Sequence, residues 1–288
     1  MKTKQAFLIA SLLLSFTYVS CAHSQRAQAN DEEQKENPYI NEQGQTVSDR
    51  FLFEHSNYVR CDSSEYAEYL RSLPLKPHGY PTHYYNGEEK RYDVNIGVID
   101  MEIGKENLQQ CADAVIRLRA EYLFKTKQYD KIHFNFTNGF RCDYTKWAEG
   151  YRIKTNAQQT KTWWELDSKA DKSYATFRKY LSQVFLYAGT ASLEQELVKI
   201  RWQDVRPGDV IIQGGHPGHA VTVLDVLRPL KQGLPIKIMI CQSYMPAQEI
   251  EILRADDDSP WFELNPDNTD GKFITPEWVF TSDDFRRF

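Results

Sequence analysis

Cysteine is scarce in this chain, five residues in 288, and no two of them form a C-x-x-C pair. That absence argues against a structural zinc site, which needs paired thiolates at short spacing. Cys61, Cys111, Cys142 and Cys241 are also too widely spaced for the disulfide framework of a small secreted scaffold. After residue 20 there is no apolar run of the roughly 20 residues that a membrane-spanning helix needs. Nor is there an excess of basic residues: the formal net charge is −5, which speaks against nucleic acid as a partner. Internal repeats are absent too.

What the chain does have begins with an address. Lys2 and Lys4 precede an apolar run from Ala6 to Val19, then Ser20-Cys21, the pattern of an export signal. A cysteine at that point resembles a bacterial lipoprotein processing site. It implies a signal over residues 1–20, a lipid on Cys21 and a location in the cell envelope, at the outer membrane or periplasmic face. The alternative is cleavage after Ala27-Gln28-Ala29, which would release a periplasmic protein. Residues 21–50 are expected to form a tether, because the polar stretch Asn30–Arg50 has too little apolar surface to order itself. Residues 51–288 carry aromatics throughout without a linker and are expected to form one domain.

Within that domain a helix is expected to begin near Asp62 or Ser63 and to end before Pro74. Asn86-Gly87 signals a hairpin between residues 80–85 and 92–100. Apolar positions Leu108, Cys111, Val115, Leu118 and Tyr122 predict a long amphipathic helix over 105–127. A strand over 132–136, a short helix near Asp143 and a helix over 173–188 follow, the last stopped by Gly189. Ser192 and Gln195 predict a capping box on a further helix. Strands over 236–244 and 248–253 come after it. Helices first and antiparallel strands second make an α+β domain.

The stretch PGDVIIQGGHPGHAVTVLDV, residues 207–226, stands out for chemistry. A Pro-Gly-Asp turn leads into one strand, and a glycine-rich loop delivers His219 to the mouth of the next. Gly214 and Gly215 allow the close backbone approach that a substrate cleft uses. Strict alternation would put His219, Val221, Val223 and Asp225 on one face. Asp225 lies about 20 Å from His219 along such a strand and cannot orient its ring. Pairing of 219–227 with 236–244 instead sets His219 opposite Gln242 to Tyr244, so that Gln242 or Ser243 can hold a ring nitrogen.

A helix-borne cysteine followed by a sheet bearing a histidine and then a polar residue resembles the chain order of papain-like cysteine hydrolases. The Pro-Gly-Asp turn, apolar strand and His-Ala-Val run is similar to the cell-wall branch of that superfamily. The resemblance implies a papain-like fold with N-terminal helices packed on an antiparallel sheet. It also implies a thiol hydrolase of peptide or amide bonds in which Cys111 is the nucleophile, His219 the base and Gln242 the orienting residue. Where that branch has Asp-Cys-Ser, this chain has Gln110-Cys111-Ala112. Cys142, expected on a more exposed loop, is the rival nucleophile. The phrases LQQCADAVIRLRAEYL, FNFTNGF, YAGTASLEQEL, GGHPGHAV and QSYMPAQEI resemble a family of exported Bacteroidota lipoproteins of unknown function.

The competing expectation is a non-catalytic lipoprotein that binds cell-wall peptide or glycan. Trp147, Trp163 and Trp164 would line its groove, the last two within a polar loop. His216 and His219 are joined by Pro217-Gly218, a linkage that does not converge two rings on a metal. No metal or cofactor is expected.

Overall fold

The computed structural model describes residues 37–158, 160–265 and 271–288. The expected signal, Cys21 and the first part of the tether lie outside the described residues. Among the described residues no helix is long and apolar enough to cross a membrane.

The architecture is mixed α and β, mostly β, with antiparallel sheets. Among the described residues, nine strands form the main sheet. Its central strand, His219–Pro229, is antiparallel to Ile236–Gln242 on one side and to Val210–Gln213 on the other. Beyond Ile236–Gln242 come Glu251–Leu253 and then Asn95–Val98. Beyond Val210–Gln213 come Phe285–Arg287 and then Val198–Lys199. Tyr58–Arg60 pairs with the far end of the central strand, and Phe262–Leu264 with the start of Ile236–Gln242. Two of these strands, Tyr58–Arg60 and Asn95–Val98, lie early in the chain. The expected order of helices first and strands second therefore does not hold.

Residues 219–227 are buried on both faces, as expected of a strand at the middle of a covered sheet. Ala220, Leu224 and Leu227 pack into a large core with the helices Glu65–Arg71, Cys111–Lys125 and Tyr174–Tyr187. Val221, Val223 and Val226 pack into a second core with Phe262, Phe273, Phe280 and Phe285. Strict alternation breaks at Leu224, where the register between Met239 and Ile240 shifts. The irregularity separates Asp225 from the face of His219, Val221 and Val223, correcting the simple period-two reading. Asp225 is bound instead by Arg60 and Arg71.

Several local expectations are also corrected. Residues 37–50, expected within the tether, pack on the domain: Val47 is buried, and the Arg50 guanidinium donates to the carbonyls of Gly44 and Lys76. The helix Glu65–Arg71 is capped by Ser64, whose hydroxyl accepts from Ala67 N, rather than by Asp62 or Ser63. Asn86-Gly87 does make a tight turn, with Gly87 N donating to Tyr84 O. The strand after it, however, pairs with Glu251–Leu253 rather than with its neighbour in sequence. Gly189 is extended and serves as the N-cap of Thr190–Glu196, so Ser192 lies inside that helix, its hydroxyl accepting from Gly189 N. Trp163 and Trp164 sit in a hairpin, Tyr151–Thr155 with Thr162–Leu166, instead of a loop.

Candidate active site

The helix expected over 105–127 spans Cys111–Lys125, which makes Cys111 its first residue. The start is set by Asp113, whose Oδ2 accepts from Gln110 N at 3.0 Å and so satisfies one of the donors that a helix start leaves free. Ala112, Val115, Ile116 and Leu118 bury the helix against the sheet. The Cys111 thiol is thereby held beside the backbone of Ala220, one residue beyond His219.

His219 reaches the same place from the sheet. Gly218 must be glycine there, since a Cβ would meet Thr190 Oγ1 at 2.5 Å and Gly215 O at 2.6 Å. Gly215 adopts a φ of 141°, a left-handed backbone that side chains disfavour. The buried imidazole lies against the rings of Tyr244, Trp278 and Phe280, with centroids 4.8, 5.3 and 5.9 Å away. Its Nε2 is 2.7 Å from Gln242 Oε1. The expected pairing of the two strands occurs, and between the two candidates it is Gln242 that meets the ring. Ser243 is engaged elsewhere, its one hydroxyl hydrogen shared between the backbone oxygens of Gln109 and Gln248.

Cys111 and His219 line one cleft of about 500 Å³, within the size range of small-molecule sites. Its walls are largely apolar, with Leu108, Phe185, Ala188, Tyr244, Met245 and Trp278, and Gly215 contributes to the rim. Among the described residues no hydrogen bond joins the thiol to the ring. Both groups are neutral at rest. Burial pushes the thiol up to about 11; the backbone N–H groups of Ala220, Ala112 and Cys111 itself pull it down, and the Asp113 charge pushes it further up. Burial likewise lowers His219 to about 4. The helix start therefore does not hold a resting thiolate at Cys111, because desolvation outweighs the N–H groups. The Asp113 carboxyl is itself raised well above its usual range by burial.

The other residues singled out in the sequence lie elsewhere. Cys142 is a fully buried strand residue, and burial raises its thiol well above its usual range, so it is not the exposed rival expected. Trp147 is buried, its indole N–H donating to Thr176 O. Trp163 and Trp164 do not line the cleft, and neither does Gly214, whose N–H donates to Glu194.

Sequence reasoning missed the charged group behind Gln242. Gln242 Nε2 donates to Glu251 Oε1 at 2.9 Å and to Glu277 Oε2 at 2.6 Å. Lys90 Nζ donates to the same two oxygens, at 2.6 Å each. Gln248 and Thr82 complete the shell of Glu251. The one available signal was Glu251 itself, a charge next to the apolar run Ile250, Ile252, Leu253 in a strand.

The model of a family described as Domain of unknown function (4846) matches residues 47–287. No curated protein and no solved structure matches the chain.

Proposed function

Because the chain belongs to the Domain of unknown function (4846) family, whose description names no activity, we propose a function from its site: a papain-like thiol hydrolase of peptide or amide bonds. The observation that carries this reading is that the Cys111 thiol and the Gln242-held His219 ring line a single cleft.

Both groups start neutral, so the imidazole takes the thiol proton as sulfur attacks the substrate carbonyl. The S–C bond forms as the carbonyl oxygen gains charge. Backbone N–H groups at the helix start and at Ala220, already directed at the sulfur, stabilise the negative charge that develops on it as its proton leaves. His219 then returns the proton to the leaving amine as the C–N bond breaks. Water then gives a proton to the same ring as its oxygen attacks the thioester carbonyl; the C–S bond breaks, the acid is released, and the ring returns the proton to the sulfur.

The proposed substrate is cell-wall peptide, and the proposed setting is the cell envelope with a lipid on Cys21. The leader pattern and the resemblance to cell-wall hydrolases support both. Cys111→Ala is expected to abolish hydrolysis of wall peptides and to remove iodoacetamide labelling from the peptide carrying residue 111. Unchanged hydrolysis in that variant rejects the reading.

A further inference from the structure

We infer that Glu251, Glu277 and Lys90 are positioning residues that determine which nitrogen of His219 is the base: Nε2 carries the hydrogen, and Nδ1 is left to accept a proton. The functional meaning of this assignment rests on the thiol-hydrolase reading, but its geometry does not.

The two ends of a glutamine amide have nearly the same shape, so the chemistry of the neighbours decides its orientation. One end of Gln242 lies against two carboxylate oxygens, at 2.9 and 2.6 Å. Carboxylates only accept, so this end must be the NH₂. The opposite orientation would press a carbonyl oxygen against two anionic acceptors in a site almost without solvent. Lys90 completes the arrangement as the shared counter-ion, donating to the same two oxygens.

The remaining step follows from the ring. Gln242 Oε1 can only accept, so His219 Nε2, 2.7 Å away, must donate. A neutral imidazole carries one hydrogen, which leaves Nδ1 with the lone pair. A reversed amide would instead donate to Nε2 and leave Nδ1 protonated, unable to accept from a thiol. The carboxylates thus act on the base through Gln242 without touching a substrate.

The test is ¹⁵N NMR of the histidine-labelled full chain at neutral pH, with His219→Gln assigning the resonances. The wild type is expected to show His219 as the Nε2–H tautomer; the Nδ1–H tautomer overturns the inference without any variant. In the double variant Glu251→Gln, Glu277→Gln the neighbours become able to donate as well as accept, and the tautomer population is expected to shift. Loss of Glu251, which is fully buried, endangers folding, so Glu277→Met serves as a second variant that removes one acceptor and shifts the population less. In either variant kcat is expected to fall on the order of tenfold or more at unchanged KM, short of the roughly 10⁴-fold that a wrong tautomer costs a Ser-His-Asp enzyme. An unchanged tautomer in the variants overturns the inference even where wild-type hydrolysis is established. A tautomer that shifts as described in a protein that hydrolyses nothing removes the hydrolase reading and leaves the positioning intact.

Discussion

Asp225 and Glu251 are both fully buried carboxylates on strands of the main sheet, yet their partners differ in kind. Asp225 receives Arg60 Nε at 2.7 Å, Arg71 Nε and Nη2 at 2.9 and 2.8 Å, and the N–H of Val226 at 2.9 Å. Two cations saturate one anion. Glu251 shares a single cation, Lys90, with Glu277, so the acceptors there outnumber the charged donors. The shortfall is met by neutral amides, from Gln242 and Gln248. A saturated cluster fastens the chain. An acceptor-rich one also dictates which way its neutral neighbours point, and at Gln242 that direction reaches His219.

The largest expected effect tests the saturated side. Asp225→Asn strands two guanidinium groups against a buried site, and breaking such a pair removes about 3–5 kcal/mol of stability. Urea unfolding is the measurement, and kcat per folded molecule is expected to stay at the wild-type level. A loss of kcat in the folded protein would mean that the two clusters do not divide anchoring from orientation.

A second test uses pH, because only the acceptor-rich side ends in a histidine. His219 titrates near 4 in the folded protein, against 6.5 for a free ring. As pH falls from 6.5 toward 4 the unfolded chain takes up a proton that the folded ring refuses, so stability is lost in that window. The shift corresponds to about 3 kcal/mol. The raised carboxyl of Asp113 acts in the opposite sense at low pH, and the difference between wild type and His219→Gln removes that contribution. Asp225→Asn is expected to keep the acid-side loss and His219→Gln to lack it. Parallel stability–pH curves for wild type and His219→Gln would contradict the burial of a neutral ring.

The two clusters were unequally legible in the sequence. Strands at 210–213, 219–229 and 236–242 could be read because turn residues bound their apolar runs, and the short connection between the last two placed Gln242 near His219. The break at Leu224 could not be read, because nothing in Val223-Leu224-Asp225-Val226 marks an extra residue, and Asp225 was therefore assigned to the wrong face. In Gln248-Glu249-Ile250-Glu251-Ile252 the alternation makes both glutamates look like a solvent face. Glu249 meets His83 in a partly buried contact, whereas Glu251 is covered by Lys90, contributed from 161 residues upstream. Glu277 is brought in from a separate part of the chain, and no local pattern announces such a meeting. The hairpin that holds Trp163 was missed because residues 156–161 contain neither glycine nor proline. The helix start at Cys111 was placed too early because the apolar stripe continues through Leu108, although the capping pair of Gln110 and Asp113 begins later.

The smallest expected effect sharpens the comparison most, because it applies the same chemical change to the other cluster. Glu277→Gln replaces a carboxylate by its neutral isostere, as Asp225→Asn does. At Glu277 the new side chain still offers an oxygen to Gln242, Lys90 keeps Glu251 as partner at 2.6 Å, and one of two neighbouring like charges disappears. The side chain is also 17% exposed, so water reaches part of what is lost. Two contacts are kept and the charge repulsion removed offsets the ion pair lost, so stability is expected to move by no more than about 1 kcal/mol in urea unfolding. Equal losses for Glu277→Gln and Asp225→Asn would erase the distinction, since both clusters would then be fasteners of the same kind. A small loss at Glu277 and a large one at Asp225 leaves the acceptor-rich cluster with little to contribute to stability, and its two carboxylates are then explained by the orientation they impose on Gln242.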